Sequence, residues 1–318
     1  MTDAALIGAG AIAVEHYKAM AACGRTVQVF GRGEASAAAF TAATGAQAGV
    51  GPLEAQLDAL DALPRQAIVA VSVSALADVT RLLLERGVER ILLEKPGGVT
   101  LDDVRALAEA DRSDRVRLAY NRRFFPAART ARVCIAADGG LTSLHFEFNE
   151  NTPVVAGLTQ HSDAVKANWF LANSTHIADM AFFMAGMAGA PKDVELDAAV
   201  VRGAFDALPP NLSAAGAGSL GDAVFSYLAD WRAAGRWGIE MGTPKRRLVL
   251  KPIETLQAIE RGSFGMKPVE LIDAEPDGIK PGFYNMHAAF AENPDQADFL
   301  TLLDQVARLE FFSRFVAQ

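Results

Sequence analysis

Cysteine is nearly absent: Cys23 and Cys134 are the only two among 318 residues and lie far apart, which excludes a disulfide framework and a cysteine-rich metal cluster. Positive charge is in deficit as well. With 30 Lys+Arg against 38 Asp+Glu, the formal charge is -8, so no overall field exists to attract a polyanion, and nucleic acid is not expected as a partner. No long apolar run is free of polar interruption. The most membrane-like stretch, residues 169–190, carries His176 and Asp179 near its middle, where an ionised Asp costs about 2.5–3.5 kcal/mol in a bilayer. It reads as a buried helix bearing a site, and no membrane partner is expected. The chain has no Gly-x-Ser-x-Gly elbow and no Gly-Lys-Ser or Gly-Lys-Thr phosphate loop, so neither that class of serine hydrolase nor a P-loop kinase is indicated. His161, His176 and His287 lack the paired spacing of zinc ligands, and no metal is expected. Asp3, with no basic residue before the first apolar run, and the break of that run at Gly8 and Gly10 do not read as an export signal; the expected location is the cytoplasm.

What is present is globular: 51% hydrophobic and 21% charged residues, in a length that suggests two domains. Through residue 121, short apolar runs alternate with Ala- and Leu-rich segments of helical length. Strands are expected at 4–7, 26–30, 46–50, 67–73, 90–93 and 116–119, with helices such as 11–22, 75–86 and 101–110 between them. Thr100 followed by Asp103 is a capping signal for the last of these. This is the pattern of an α/β fold, a doubly wound parallel sheet of Rossmann type over residues 1–121. The rhythm then changes. A helix at 124–137, a strand at 141–148 and a helix at 176–187 precede strand-like runs at 194–201, 223–229, 237–241 and 247–250 that lack crossover helices. Residues 122–318 are therefore expected to form an α+β domain with a mostly antiparallel open sheet. The Pro-, Gly-, Ala- and Ser-rich segment 204–221 is expected to contain a loop, and 296–315 a closing helix.

Gly8-Ala9-Gly10-Ala11-Ile12-Ala13 directly follows the first strand and opens the first helix. Gly8 suits the tight turn, Gly10 lets a pyrophosphate approach the backbone, and Ala11 and Ile12 begin the helix whose free N–H groups favour an anion. After the second strand an acidic residue for a ribose 2'-hydroxyl is missing. Arg32 can instead pair with a 2'-phosphate and Ser36 can add a hydrogen bond, so NADP is expected over NAD, with Glu34 as the rival that would favour NAD. Ser72 follows the fourth strand and is counted among the cofactor contacts. Glu94-Lys95-Pro96 ends the fifth strand, at the carboxyl edge where such sheets bind ligands; Lys95 can stabilise developing alkoxide charge. At the end of the sixth strand, Asn121 can orient a nicotinamide or a substrate, and Arg122 or Arg123 can reach an anionic group. His176 and Asp179, three residues apart, share a helix face. The polar run Asn173-Ser174-Thr175-His176 inside an apolar segment needs partners, which points to a site there, with Trp169 and Asn173 at the substrate and His176 exchanging a proton.

Together these motifs resemble the Gfo/Idh/MocA family, glucose-fructose oxidoreductase, inositol dehydrogenase and their relatives, over nearly the whole chain. The resemblance implies an NAD(P)-dependent oxidoreductase acting on a secondary carbinol or ketone of a sugar, polyol or sugar derivative. It also implies that Lys95 is the active-site lysine, His176 the acid/base and Asp179 its accompanying carboxylate, with a homodimer or homotetramer as the assembly. Ala172 departs from the pattern, since inositol dehydrogenase-like members carry Asp at that place. Two alternatives share the resemblance: a nucleotide-retaining redox glycosidase, and a non-catalytic dinucleotide-binding regulator.

Overall fold

The structure, a computed structural model, describes residues 4–203, 211–296 and 298–317. The chain divides into two compact units, one of Met1–Asn121 with Glu275–Leu303, the other of Arg122–Ala274 with Asp304–Gln318.

The first unit is built on β1 (Ala4–Ile7), β2 (Val27–Phe30), β3 (Ala48–Gly49), β4 (Gln66–Val69), β5 (Arg90–Leu93) and β6 (Val116–Leu118). They form a six-stranded sheet of order β3-β2-β1-β4-β5-β6, parallel throughout. Every residue of β1 is buried, as expected for a central strand covered on both faces. The strand order reverses beside β1, between β2 and β4, the switch point at whose carboxyl ends sheets of this kind bind ligands. The crossovers are α1 (Ala11–Ala22), α2 (Glu34–Thr44), α3 (Leu53–Asp58), α4 (Leu76–Glu85) and α5 (Leu101–Ala110). The Thr100 hydroxyl accepts from the Asp103 N–H and the Asp103 carboxylate accepts from the Thr100 N–H, the reciprocal cap anticipated for α5. β3 is shorter than expected: it lies on the sheet edge and pairs only with β2, and the chain turns away at Gly51, whose φ is +116°.

In the second unit a 3-10 turn over Asn121–Phe124 precedes α6 (Pro126–Ala137), which begins with proline where no N–H partner is needed. Then come β7 (Ser143–Glu147), α7 (Thr152–Gly157), α8 (Asp163–Ala167), a π-helical turn at Phe170–Ser174 and α9 (Thr175–Met184). The remaining strands are β8 (Val194–Arg202), β9 (Ser213–Leu220), β10 (Ala223–Asp230), β11 (Gly238–Gly242), β12 (Arg246–Leu250), β13 (Gln257–Glu260) and β14 (Met266–Pro268). The eight-stranded sheet runs β14-β13-β12-β11-β7-β10-β9-β8, antiparallel except where β7 meets β10.

Of the segment 204–221, in which a loop is expected, 204–210 lie outside the described residues and Ser213–Leu220 form β9. Its small side chains are what make it a strand here. A Cβ on Gly216 would strike the Tyr227 ring, and one on Gly218 the Phe225 ring and the Glu195 carbonyl, so glycine lets these aromatics lie across the sheet. Phe146, Phe182, Phe225, Tyr227 and Phe315 form the centre of this unit's core with ring centroids 4.6–6.2 Å apart. β10 alternates buried and outward residues, so one face of the sheet is left open.

The segment from Glu275 returns to the first unit with α10 (Phe283–Glu292), and Leu118 N–H donates to the Leu300 carbonyl to extend that sheet's edge. α11 (Leu302–Ser313) follows, shorter than the expected helix because 298–300 form a turn, a bend and a bridge.

Candidate active site

In the first unit, Gly8 sits between β1 and α1 at φ +124°, and a Cβ there would collide with the Ala70 carbonyl of the neighbouring strand. Only glycine fits. Gly10 is the N-cap of α1 in extended conformation, with no side-chain cap on the helix and open space where a Cβ would be. Ala11 is exposed and Ile12 partly so, which leaves the first-turn N–H groups to an external acceptor. This cradle suits a pyrophosphate. Ala13, fully buried, packs where a third glycine would otherwise sit.

Arg32 follows β2, exposed and with no ion pair among the described residues, and Ser36, also exposed, donates its hydroxyl to the Gly33 carbonyl. Glu34 opens α2. Ser72 is exposed at the end of the fourth strand, its hydroxyl 3.3 Å from that of Ser74. Lys95 follows β5 and is 8% exposed; the Glu94 N–H continues the sheet by donating to Val69. The Glu94 carboxylate accepts from His16 Nε2 at 2.9 Å, and His16 Nδ1 lies 2.8 Å from His287 Nε2. Neither histidine was singled out for this place from the sequence. Asn121 is buried and donates its carboxamide N–H to the Pro281 carbonyl at 3.0 Å, so part of its hydrogen-bonding capacity already holds the returning segment.

In the second unit, His176 stands in the first turn of α9, 7% exposed, with its ring centroid 6.4 Å from that of Trp237. The Arg122 guanidinium covers the same indole at 4.8 Å. Trp169 is buried against His161, ring centroids 5.5 Å apart, and its indole N–H meets no acceptor among the described residues, an orphaned donor at a place where substrate contacts were expected. Asn173 and Ser174 both donate to the Glu150 carboxylate, at 3.1 and 2.7 Å. Glu150 comes from the loop after β7, twenty-odd positions upstream, and only folding reveals it. A shallow depression nearby in sequence terms, lined by Glu147, Asn149, Gly235, Arg236 and Lys251, adds polar groups of the kind that recognise hydroxyls.

Two expectations need correction. Asp179 is fully buried; its carboxylate accepts from Arg123 Nε and Nη2 at 2.7 and 2.8 Å and is ion-paired with the Arg308 guanidinium at 3.0 Å. Both oxygens are closed off, so Asp179 anchors α9 and is not placed to exchange protons with a ligand. Arg123 is 1% exposed and also donates from Nη1 to the Ala188 carbonyl at 2.9 Å, so it is not placed to bind a substrate anion. Arg122 is the more exposed of the pair.

Residues 2–122 match the family model described as "Oxidoreductase family, NAD-binding Rossmann fold". No curated protein matches the sequence. Among solved structures, the chain is similar to an oxidoreductase from Agrobacterium radiobacter in complex with NAD+, L-tartaric acid and magnesium, at 14% identity and TM-score 0.74, covering 98% of this chain and 94% of that one. It is also similar to UDP-N-acetylglucosamine 3-dehydrogenase from Acidithiobacillus ferrooxidans, at 17% identity and TM-score 0.69, covering 98% and 95%. A third is levoglucosan dehydrogenase in complex with NADH and levoglucosan, at 18% identity and TM-score 0.73, covering 98% and 97%. These likenesses establish the fold. Over residues 2–122 the chain is similar to the Gfo/Idh/MocA family of oxidoreductases, in keeping with its glycine cradle and parallel sheet.

Proposed function

We propose that this protein is a nicotinamide-dependent dehydrogenase or reductase acting on a secondary carbinol or ketone of a sugar, polyol or sugar derivative. The observation that carries the reading is the Gly8–Gly10 cradle, where side chains are excluded by the backbone of a neighbouring strand and the N-terminus of α1 has no cap of its own. Gly8, Gly10, Ala11 and Ile12 would hold the pyrophosphate, with Ser72, Glu94 and Asn121 contributing along the carboxyl edge of the sheet. The bound dinucleotide supplies hydride exchange at its nicotinamide ring. Two of the similar structures carry carbohydrate names, one of them bound to levoglucosan, which supports a carbohydrate-like substrate.

Lys95 is assigned to the substrate oxygen, where an ammonium group offsets developing negative charge, and His176 to the hydroxyl proton. Trp169 and Asn173 are assigned to substrate positioning, and the orphaned indole N–H of Trp169 is a donor suited to a sugar hydroxyl. Arg32, exposed and unpaired after β2, supports a preference for NADP. The open face of the second sheet exposes Val200, Val224 and Leu228, which supports self-association through it.

Titration of the cofactor-free protein with NADPH and NADH, followed by nicotinamide fluorescence, tests the reading. NADPH is expected to bind at least about tenfold tighter, roughly 1.4 kcal/mol. Tighter binding of NADH overturns the role of Arg32 and leaves the dehydrogenase; binding of neither overturns the dinucleotide reading.

A further inference from the structure

Among the described residues of the first unit, three ionisable side chains form a hydrogen-bonded line, His287–His16–Glu94. His16, on α1, and His287, on α10, are fully buried, and the Glu94 side chain is 13% exposed. Three separate elements meet in it: the helix that opens at the glycine cradle, the strand end that carries Lys95, and the helix brought in by the returning segment.

The donors in this line can be assigned. A carboxylate only accepts, so His16 Nε2 carries hydrogen toward Glu94. If His16 is neutral, its Nδ1 is a lone pair and His287 Nε2 must donate to it, which leaves a lone pair on His287 Nδ1. That atom has no partner among the described residues. If His16 instead carried two protons, His287 Nε2 would have to accept, and its Nδ1–H would be an orphaned buried donor, the rarer and costlier kind. Burial is the chief cause that holds His287 well below the usual imidazole range, with the charge of Arg25 among the lesser ones. Both rings are therefore neutral Nε2–H tautomers, pointing the same way toward Glu94. The line ends at His287 Nδ1 in the interior, so it does not conduct protons to solvent.

We propose that His16 and His287 are positioning residues: an imidazole pair of fixed polarity that holds the Glu94 carboxylate in one orientation immediately before Lys95, presetting the edge of the sheet that receives the dinucleotide. The functional half of this rests on the dinucleotide reading above. The tautomeric half does not.

Two measurements test it. Long-range proton–nitrogen NMR correlation of the histidine-labelled protein without cofactor, with signals assigned in H16Q and H287F, is expected to show both residues as Nε2–H tautomers near pH 7.5. An imidazolium or an Nδ1–H tautomer at either residue overturns the proposal. Titration with NADH and NADPH is expected to show H16L binding the preferred dinucleotide about tenfold or more weakly, the scale of one lost hydrogen bond to a charged group. H16Q, whose amide can still donate to Glu94, is expected to recover to within about threefold of the parent. Parent-like affinity in a folded H16L, or no recovery in H16Q, overturns the proposal. Should H16L fail to fold, H287F serves in its place: it is expected to weaken binding and shift the His16 nitrogen signals, and parent-like affinity with unmoved signals overturns the proposal. If the parent binds neither nucleotide, the functional reading fails and, with it, the presetting role, while the NMR result decides the pair by itself.

Discussion

Asp179 and Arg123 close on one another through two hydrogen bonds of 2.7 and 2.8 Å, with neither side chain reaching solvent. Arg308 completes the cluster from α11 and also donates to the carbonyls of Gly189 and Met187. One carboxylate thus ties together α9, the 3-10 turn before α6 and α11. Removing it leaves two guanidinium groups buried without their counter-charge. Asp179→Ala is expected to cost about 3–5 kcal/mol of stability, read as a lowered denaturation midpoint. His176→Ala, three residues away, is expected to abolish turnover with little change in that midpoint; an equal loss of stability in both variants would contradict the division of labour.

Gly8→Ala tests the cradle. The added methyl meets the Ala70 carbonyl and the residue must hold φ +124°, a strain of about 1–3 kcal/mol before any shift of the sheet. Dinucleotide affinity is expected to fall by more than about tenfold, whereas Gly24→Ala, at φ +73° with open space around it, should cost stability alone.

Lys95→Ala is expected to lower turnover on a carbinol substrate by on the order of 10² or more while nucleotide affinity stays within a few-fold of the parent. Stopped-flow measurement of nicotinamide reduction against the binding titration separates the two. Near-parental turnover would remove Lys95 from the chemistry.

His287 gives a pH dependence with a definite sign. Its folded-state pKa lies well below 6.5, through burial first, with the charge of Arg25 among the lesser causes. Below pH about 6.5 the unfolded chain binds a proton at this residue that the folded protein does not, so stability falls as the pH drops, by at most about 1.4 kcal/mol per unit from this group. Denaturation between pH 7.5 and 5.5 is expected to show this slope in the parent and a shallower one in His287→Phe. Asp138 acts over a lower window. Burial opposes its ionisation, but the hydrogen bonds from Arg246 and Thr243 outweigh it and hold its carboxyl below the usual range. Its contribution is present above the ordinary carboxylate pKa and is lost as the pH falls through the lowered one.

By itself the sequence determined what local pattern can carry. The alternation of apolar runs with Ala- and Leu-rich helices, the glycine turn at Gly8 and Gly10, the Thr100–Asp103 cap and the lysine after β5 all follow from spacing within a few residues. Tertiary structure decided the rest, because the deciding partner in each case is distant along the chain. Gly216 and Gly218 carry no local sign of the rings of Tyr227 and Phe225 that lie over them. Asp179 shares a helix face with His176, yet Arg123 and Arg308 claim its charge from elements 56 and 129 positions away. Glu150 meets Asn173 only because the chain leaving β7 passes the π-helical turn. His16 and His287, 271 positions apart, become one hydrogen-bonded pair only when Glu275–Leu303 returns to the first unit. Periodicity reports which face of an element is apolar; it holds no record of which charge or ring will be folded against that face.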